Sequence, residues 1–249
     1  GFVFNNDLAG DSKMGTNAFE ISISDIRSLD KDTAHFVGFG FQTGYVLRSI
    51  DYSSLTFDEQ FNGDVFDPSI GNTEQFSNDG HGYLDVSAGI SYIFRKSDHF
   101  NVGTGISFQH LNKPNDAFFS QKVTLEPRTQ IHLNISIPLT TKLDLLPSML
   151  YMTQGGHTEF TPGTALRYSL SELPGRNYAL IAGCWIRTGD AMIFNGAVEY
   201  NSLRFGLVYD ANTSDLDRAS NGKGGYELAL SYIIRKVKPI AIKPPCPLY

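Results

Sequence analysis

Hydrolytic chemistry needs a histidine within reach of a nucleophile or a carboxylate. The chain has six histidines, His35, His81, His99, His110, His132 and His157, and none falls in a nucleophile-elbow or zinc-ligand spacing. His132 comes nearest, sharing an alternating row with Asn134 and Ser136. A lone histidine in such a row is expected to fill space and hydrogen-bond, not to catalyse. Asp210 and Glu227 could form a carboxylate pair, but Arg204 and Arg235 on neighbouring strands are the expected partners for them. Asp215 and Asp217 form an Asp-x-Asp without the rest of a Ca²⁺ ligand set, which points to a solvated loop. Cys184 and Cys246 form neither a metal spacing nor a disulfide framework, and a mid-strand residue is not expected to pair with one in the tail. No glycine-rich stretch opens a helix, so no phosphate cradle is expected. The expectation is a protein without catalytic residues, cofactor or metal.

The charged side chains that remain lie in alternating rows. Tyr83 to Phe108 shows the pattern best. Leu84, Val86, Ala88, Ile90, Tyr92 and Phe94 alternate with Asp85, Ser87, Gly89 and Ser91, and Arg95 closes the polar row. After a short turn the pattern restarts, with Phe100, Val102, Thr104, Ile106 and Phe108 on one side. Successive side chains of a strand point to opposite faces, so this is a hairpin with one apolar and one polar face. Ten residues exceed the usual soluble strand of about five or six and suit a tilted strand crossing a bilayer.

The same alternation predicts strands over about 1–5, 16–26, 35–47, 129–137, 142–153, 159–170, 177–187, 192–200, 203–209 and 226–235, twelve with the hairpin. The polar faces then carry Asp85, Arg95, Arg167, Arg187, Glu199, Arg204, Glu227 and Arg235, with Glu20. Both signs occur, so this face either lines an aqueous pore or packs as a salt-bridged filling. Packing is the expectation for a barrel of this size.

The chain has 249 residues, 41% of them hydrophobic, a mean hydropathy of −0.18 and a net charge of −6. No stretch approaches the roughly 20 apolar residues of a membrane helix. The net acidity argues against nucleic acid as a partner. Twelve Tyr, 18 Phe and 24 Gly fit a barrel with interfacial aromatic girdles. A soluble β-sandwich fits the composition equally well. There is no leader sequence, so an exported barrel would have lost it, or the chain starts part-way.

The connections separate the two. Those near 29–31, 97, 140–141, 174–175 and 201–202 are short. The alternate ones, 6–15, 48–81, 111–121 and 211–224, are mostly longer, with 155–156 and 189–190 as exceptions. Short turns on one side and long loops on the other mark outer-membrane barrels, and a soluble sandwich has no reason for this asymmetry. If the last strand ends in the periplasm, 48–81 and 211–224 lie outside. The longest loop, 51–81, carries Phe57, Asp58, Phe61, Asp64, Phe66, Asp67, Glu74 and Phe76. A loop of that length is usually functional or disordered, and its aromatics argue against disorder.

Several strings, in order across nearly the whole chain, resemble the PorP/SprF family of type IX secretion system outer-membrane proteins. They are Phe4-Asn5-Asn6-Asp7-Leu8-Ala9-Gly10-Asp11, Arg48-Ser49-Ile50-Asp51, Leu55-Thr56-Phe57-Asp58-Glu59-Gln60-Phe61, Asp85-Val86-Ser87-Ala88-Gly89-Ile90 and His110-Leu111-Asn112-Lys113-Pro114. Gln154-Gly155-Gly156, Val208-Tyr209-Asp210, Gly224-Gly225-Tyr226-Glu227-Leu228 and the ending Cys246-Pro247-Leu248-Tyr249 complete the set. The family's opening Asn-Pro-Ala-Tyr-type segment and early Arg…Gln-Trp strand have no counterpart here, which suggests a domain lacking its first two strands.

The resemblance implies an all-β, antiparallel, up-and-down transmembrane barrel of about 14 strands, about 12 of them in this chain. Residues 1–236 would be barrel and 237–249 a Lys/Pro-rich periplasmic tail. It implies a non-enzymatic role in the outer membrane of a Gram-negative bacterium of the Bacteroidota, with outer-membrane lipid around it. Family members support secretion or surface anchoring of large adhesins, including gliding adhesins, or link to periplasmic parts of the machine. The 51–81 loop is then a candidate surface for the C-terminal domain of an adhesin or other type IX substrate. The tail, with Lys243, Pro245, Cys246, Pro247 and Tyr249, is a candidate dock for periplasmic type IX or peptidoglycan-associated proteins. A passive pore or small-molecule transporter is the competing reading, and a membrane enzyme a distant third.

Overall fold

A computed structural model describes residues 1–10, 12–31, 34–67, 69–71, 79–97, 99–118, 122–171, 178–214 and 224–234. Its twelve strands are β1 (Phe2–Ala9), β2 (Met14–Ser28), β3 (His35–Ser49), β4 (Gly80–Arg95), β5 (Asn101–Gln109), β6 (Arg128–Pro138), β7 (Leu143–Gln154), β8 (His157–Ser171), β9 (Tyr178–Arg187), β10 (Ala191–Tyr200), β11 (Leu203–Asn212) and β12 (Tyr226–Tyr232). They form one antiparallel up-and-down sheet in chain order, in which β1 and β12 each have one neighbour. Two single-turn 3-10 helices, Tyr52–Ser54 and Asp58–Gln60, sit in the β3–β4 connection. No described helix is long and apolar enough to cross a membrane.

The chain divides into two compact units. One holds Gly1–Ile137 with Pro147–Pro162, the other Pro138–Leu146 with the described residues of Gly163–Tyr249. Each has the same inverted pattern. In the first, Phe19, Ile21, Ile23, Phe39, Phe41 and Leu84 are exposed on one face, while Ala18, Val46 and Asp85 are buried on the other. In the second, Leu166, Tyr168, Leu180, Phe194, Phe205 and Leu207 are exposed, while Asp144, Ala165, Ser169, Ala179 and Ala191 are buried. Among the described residues no large side chain is fully buried. Covering a Leu or Phe is worth about 1.5–3 kcal/mol, so a face of this size left in water would outweigh the stability of the whole domain. Lipid relieves that penalty, and paired strands leave few backbone groups to satisfy in it.

Strand lengths position the loops. β3 and β4 run 15 and 16 residues, whereas β5 has nine. The β4–β5 ladder begins at Ala88 and Phe108, so β4 extends past β5 from residue 80 to 87. That end of the first unit carries the long connections 50–79 and 110–127.

One boundary differs from expectation. β1 continues through Asn6 and Asp7, expected as loop, to Ala9. Asn6 pairs with Asn17 and its Nδ2 donates to the Asn17 side chain at 2.7 Å. The turn falls instead at Gly10, whose φ of +69° suits glycine, and the Lys13 amide donates to the Gly10 carbonyl. The β1–β2 connection is therefore short, and the long connections are 50–79, 110–127 and 213–225.

Glycine on the polar face of the second unit makes room for its tryptophan. Gly163 lies directly opposite Trp185, and a Cβ at Gly163 would overlap the indole ring and crowd the Cys184 carbonyl. A bulky residue there forces strand or ring to move, which costs about 1–3 kcal/mol or more. Gly163→Val is expected to abolish the gel-mobility difference between unheated and boiled samples that folded barrels give, and Gly163→Val/Trp185→Gly to restore it in part. Normal mobility of the single variant would refute this packing account.

Candidate functional site

The described residues of the 50–79 connection are folded locally. Its ends are tied by Ile50 N to Asp79 O at 2.8 Å, and Asp51 N donates to Ser12 O. Within it Gln60 braces both sides: its Oε1 accepts from Phe57 N, and its Nε2 donates to Ile70 O. Phe61 and Phe66 form an isolated bridge around a turn in which Asn62 Oδ1 accepts from the amides of Asp64 and Val65, both at 3.0 Å. Asp51 and Asp67 cap two further turns. The Ser53 hydroxyl, then its amide, holds the Asp51 carboxyl below the ordinary range, and Ser69 does the same for Asp67. A lowered pKa means that this contribution is complete above about pH 4 and is lost only as pH falls through the lowered value.

The second long connection folds onto the polar face. His110, at φ +57°, swings the chain so that Leu111 N reaches Val86 O on β4, and the Asn112 amide bridges to Leu84 O. His110 Nδ1 meets Asp85 Oδ1 at 2.9 Å, and Asp85 is 5% exposed. Asn115 and Thr124 bridge to fasten the loop. This aims Asp116 at the cross-strand pair Arg48 and His81. Its Oδ2 accepts from Arg48 Nη1 and its Oδ1 contacts His81 Nε2, both at 3.0 Å. A carboxylate can only accept, so Nε2 carries the proton in this contact. The Phe118 ring packs edge-on against His81.

In the second unit, charges on the polar face pair off. Arg167 Nε donates to Glu199 Oε2 at 2.9 Å, and its Nη1 lies 3.4 Å from the Asp144 carboxylate and 3.0 Å from Ser169 Oγ. Arg204 reaches the other Glu199 oxygen at 3.2 Å. Two guanidiniums thus face two carboxylates, with Asp144 only 3% exposed. Arg187 pairs with Asp190 at 3.0 Å and Asp210 at 3.2 Å.

The structure thus brings some of the sequence-derived residues together and separates others. Arg167, Glu199 and Arg204 form one cluster, while Arg187 belongs to another. Arg95 is exposed over the Phe36 ring, and Glu227 is exposed. Asp210 turns to Arg187 and Arg204 to Glu199, not to each other as expected, because Glu199 lies directly opposite Arg204 in the ladder. Arg235, Glu74, Phe76, Asp215, Asp217 and the tail residues Lys243, Pro245, Cys246, Pro247 and Tyr249 lie outside the described residues. Ser136 donates to the His99 carbonyl, and His132 packs over Gly105. Among the described residues no group of three or more ligating side chains could hold a metal. Asp116 and Asp144 escaped sequence reasoning. Asp116 sits in a loop without periodicity, and its partners are 68 and 35 residues away.

Removing the Asp116 carboxylate leaves a half-buried guanidinium and imidazole without it, a loss on the order of 1–3 kcal/mol. Asp116→Ala is expected to raise hydrogen exchange at the Leu111 and Asp116 amides by tenfold or more, with the β9–β10 amides unchanged. Unaltered exchange at both would show that the carboxylate does not fasten the loop.

Comparison with curated proteins returns no match. The family model described as type IX secretion system membrane protein PorP/SprF matches residues 1–232. That is a family of secretion-system membrane components, not of enzymes. The match spans all twelve strands, including both loops and the paired charges described above, and the chain belongs to the PorP/SprF family.

Proposed function

We propose that this chain forms a non-enzymatic β-barrel in the bacterial outer membrane and supports secretion or surface anchoring of a large adhesin, or another type IX substrate, through that partner's C-terminal domain. The observation that carries this reading is an exposed apolar sheet face joined to a long connection, 50–79, whose described residues are folded by their own hydrogen bonds. A membrane component of a secretion system needs both a lipid-facing wall and a fixed surface for cargo. In this reading the 50–79 end faces the cell exterior, and the short turns between β2 and β3, β4 and β5, and β10 and β11 face the periplasm. His35 and Tyr92, bonded at 2.7 Å near the short-turn end, suit the inner aromatic girdle, as does the Tyr178–Tyr200 pair. The neutral Arg167–Glu199–Arg204–Asp144 cluster favours a filled interior over a passive pore.

Removing residues 57–76 is expected to release the surface protein into the medium while the barrel still assembles, measured by cell-surface labelling and gel mobility. Attachment retained at the wild-type level would overturn the role of the loop.

The tail is the second contact surface of this proposal. Residues 237–249 combine Lys238 and Lys243 with four prolines, and proline-rich sequence loses little entropy on docking. Truncation after Arg235 is expected to remove periplasmic machine or peptidoglycan-associated proteins from a detergent pull-down. An unchanged partner set, with the barrel intact, would overturn it.

A further inference from the structure

The tip of the 50–79 connection presents an apolar knob. Phe61 is 58% exposed, Val65 61% and Phe66 46%. Single exposed apolar residues are ordinary, but here Phe61 and Phe66 stand opposite each other across a bridge on a fastened turn, with exposed Val65 next to Phe66 in the chain. The turn is braced from several sides: Asn62 N donates to Val65 O, Asp67 N donates to Gln60 O at 2.8 Å, and Gly63 takes a φ of +105°. These bonds fix the backbone that carries the exposed Phe61, Val65 and Phe66 before any partner arrives, which lowers the ordering cost of binding.

The charge carried by the connection itself has one sign. Residues 51–79 include seven carboxylates and no Lys, Arg or His. Asp51 and Asp67 are engaged by serines in their own turns, whereas Asp58 and Asp64 are exposed beside the apolar residues. Anionic lipid headgroups and nucleic acid would be repelled. A bare cation would leave the aromatic rings uncovered.

We infer that the Phe61–Val65–Phe66 knob and its acidic rim bind a protein segment in which apolar side chains are flanked by Lys or Arg. This rests on the reading that the 50–79 end receives a secreted partner, and it specifies the chemistry of that partner's contact segment. The aromatics supply the contact that holds, and the carboxylates supply steering and selection by charge.

The test uses the full chain in detergent micelles and two synthetic fluorescent peptides. Both carry the same Leu and Phe residues; one has Lys and Arg between them, the other Glu. Anisotropy is expected to show binding of the basic peptide and none of the acidic one. Phe61→Ala/Phe66→Ala should weaken binding at least tenfold at both 50 and 500 mM salt, two conditions on the order of those that separate screened from unscreened charge. Asp58→Asn/Asp64→Asn should weaken it about tenfold at the lower salt and flatten its salt dependence. Hydrogen exchange at the Val65 and Asp67 amides checks that both variants keep the turn. Equal binding of the two peptides, or basic-peptide binding unchanged by either pair of substitutions, would overturn the inference. The anchoring reading fails separately, if loss of 57–76 leaves the surface protein attached while the wild-type knob still selects the basic peptide.

Discussion

The structure depends on one constraint: the strands must face hydrocarbon with one side and satisfy everything polar on the other. Backbone amides and carbonyls are paired along the ladders, so the apolar side chains between them can stand outward without stranding a donor or acceptor. The same alternation turns most intervening polar residues to the opposite face, with Asp25 and Arg27 near the end of β2 as exceptions that pair with each other. A Phe or Ile on one side commits its neighbours to the other, and Asp85 and Glu199 are ionisable groups placed under that rule.

Charges on such a face persist when they neutralise one another at close range. A lone ionised group away from water is costly, and removing one partner of a pair exposes that cost in full. In the second unit Arg167 is bracketed by Glu199, Asp144 and the Ser169 hydroxyl, and Glu199 is shared with Arg204. In the first, the 110–127 connection supplies the missing partners: Asp116 for Arg48 and His81, and His110 for Asp85. The polar face of one unit is thus completed by its strands, and that of the other by a loop folded onto it.

This difference explains what could be read from the sequence. Strands with a period of two announce themselves, and all twelve were legible, because alternation is a local property enforced residue by residue. Asn6-Asp7 misled because those residues favour turns in isolation, while in the sheet they sit opposite Asn17 and Thr16 and are held by the ladder. Ion-pair identities were legible only in part. The Glu199–Arg204 contact follows once the two-residue turn at 201–202 fixes the register, whereas Arg187–Asp210 and Asp116–Arg48 depend on where distant backbone lies. The aromatic and acidic content of the 51–81 loop was plain. Which of its carboxylates are occupied in turns and which face outward was not, because that depends on serine positions two residues downstream of Asp51 and Asp67.

The two long connections of the first unit divide the work through opposite treatments of the same residue type. Asp116 points inward and is paired, so it rigidifies the polar face and is unavailable to a partner. Asp58 and Asp64 point outward on a turn fastened by amide and carbonyl contacts, so the turn keeps its shape without using their charge. A loop held by its own carboxylates would have to give up internal contacts to engage a cation. A loop held by Asn62 and Gln60 does not. At the turn around Asn62, neutral side chains therefore carry the shape and Asp58 and Asp64 the surface charge, while Asp51 and Asp67 serve the neighbouring turns, so the shape and the outward charge of this turn can be altered independently.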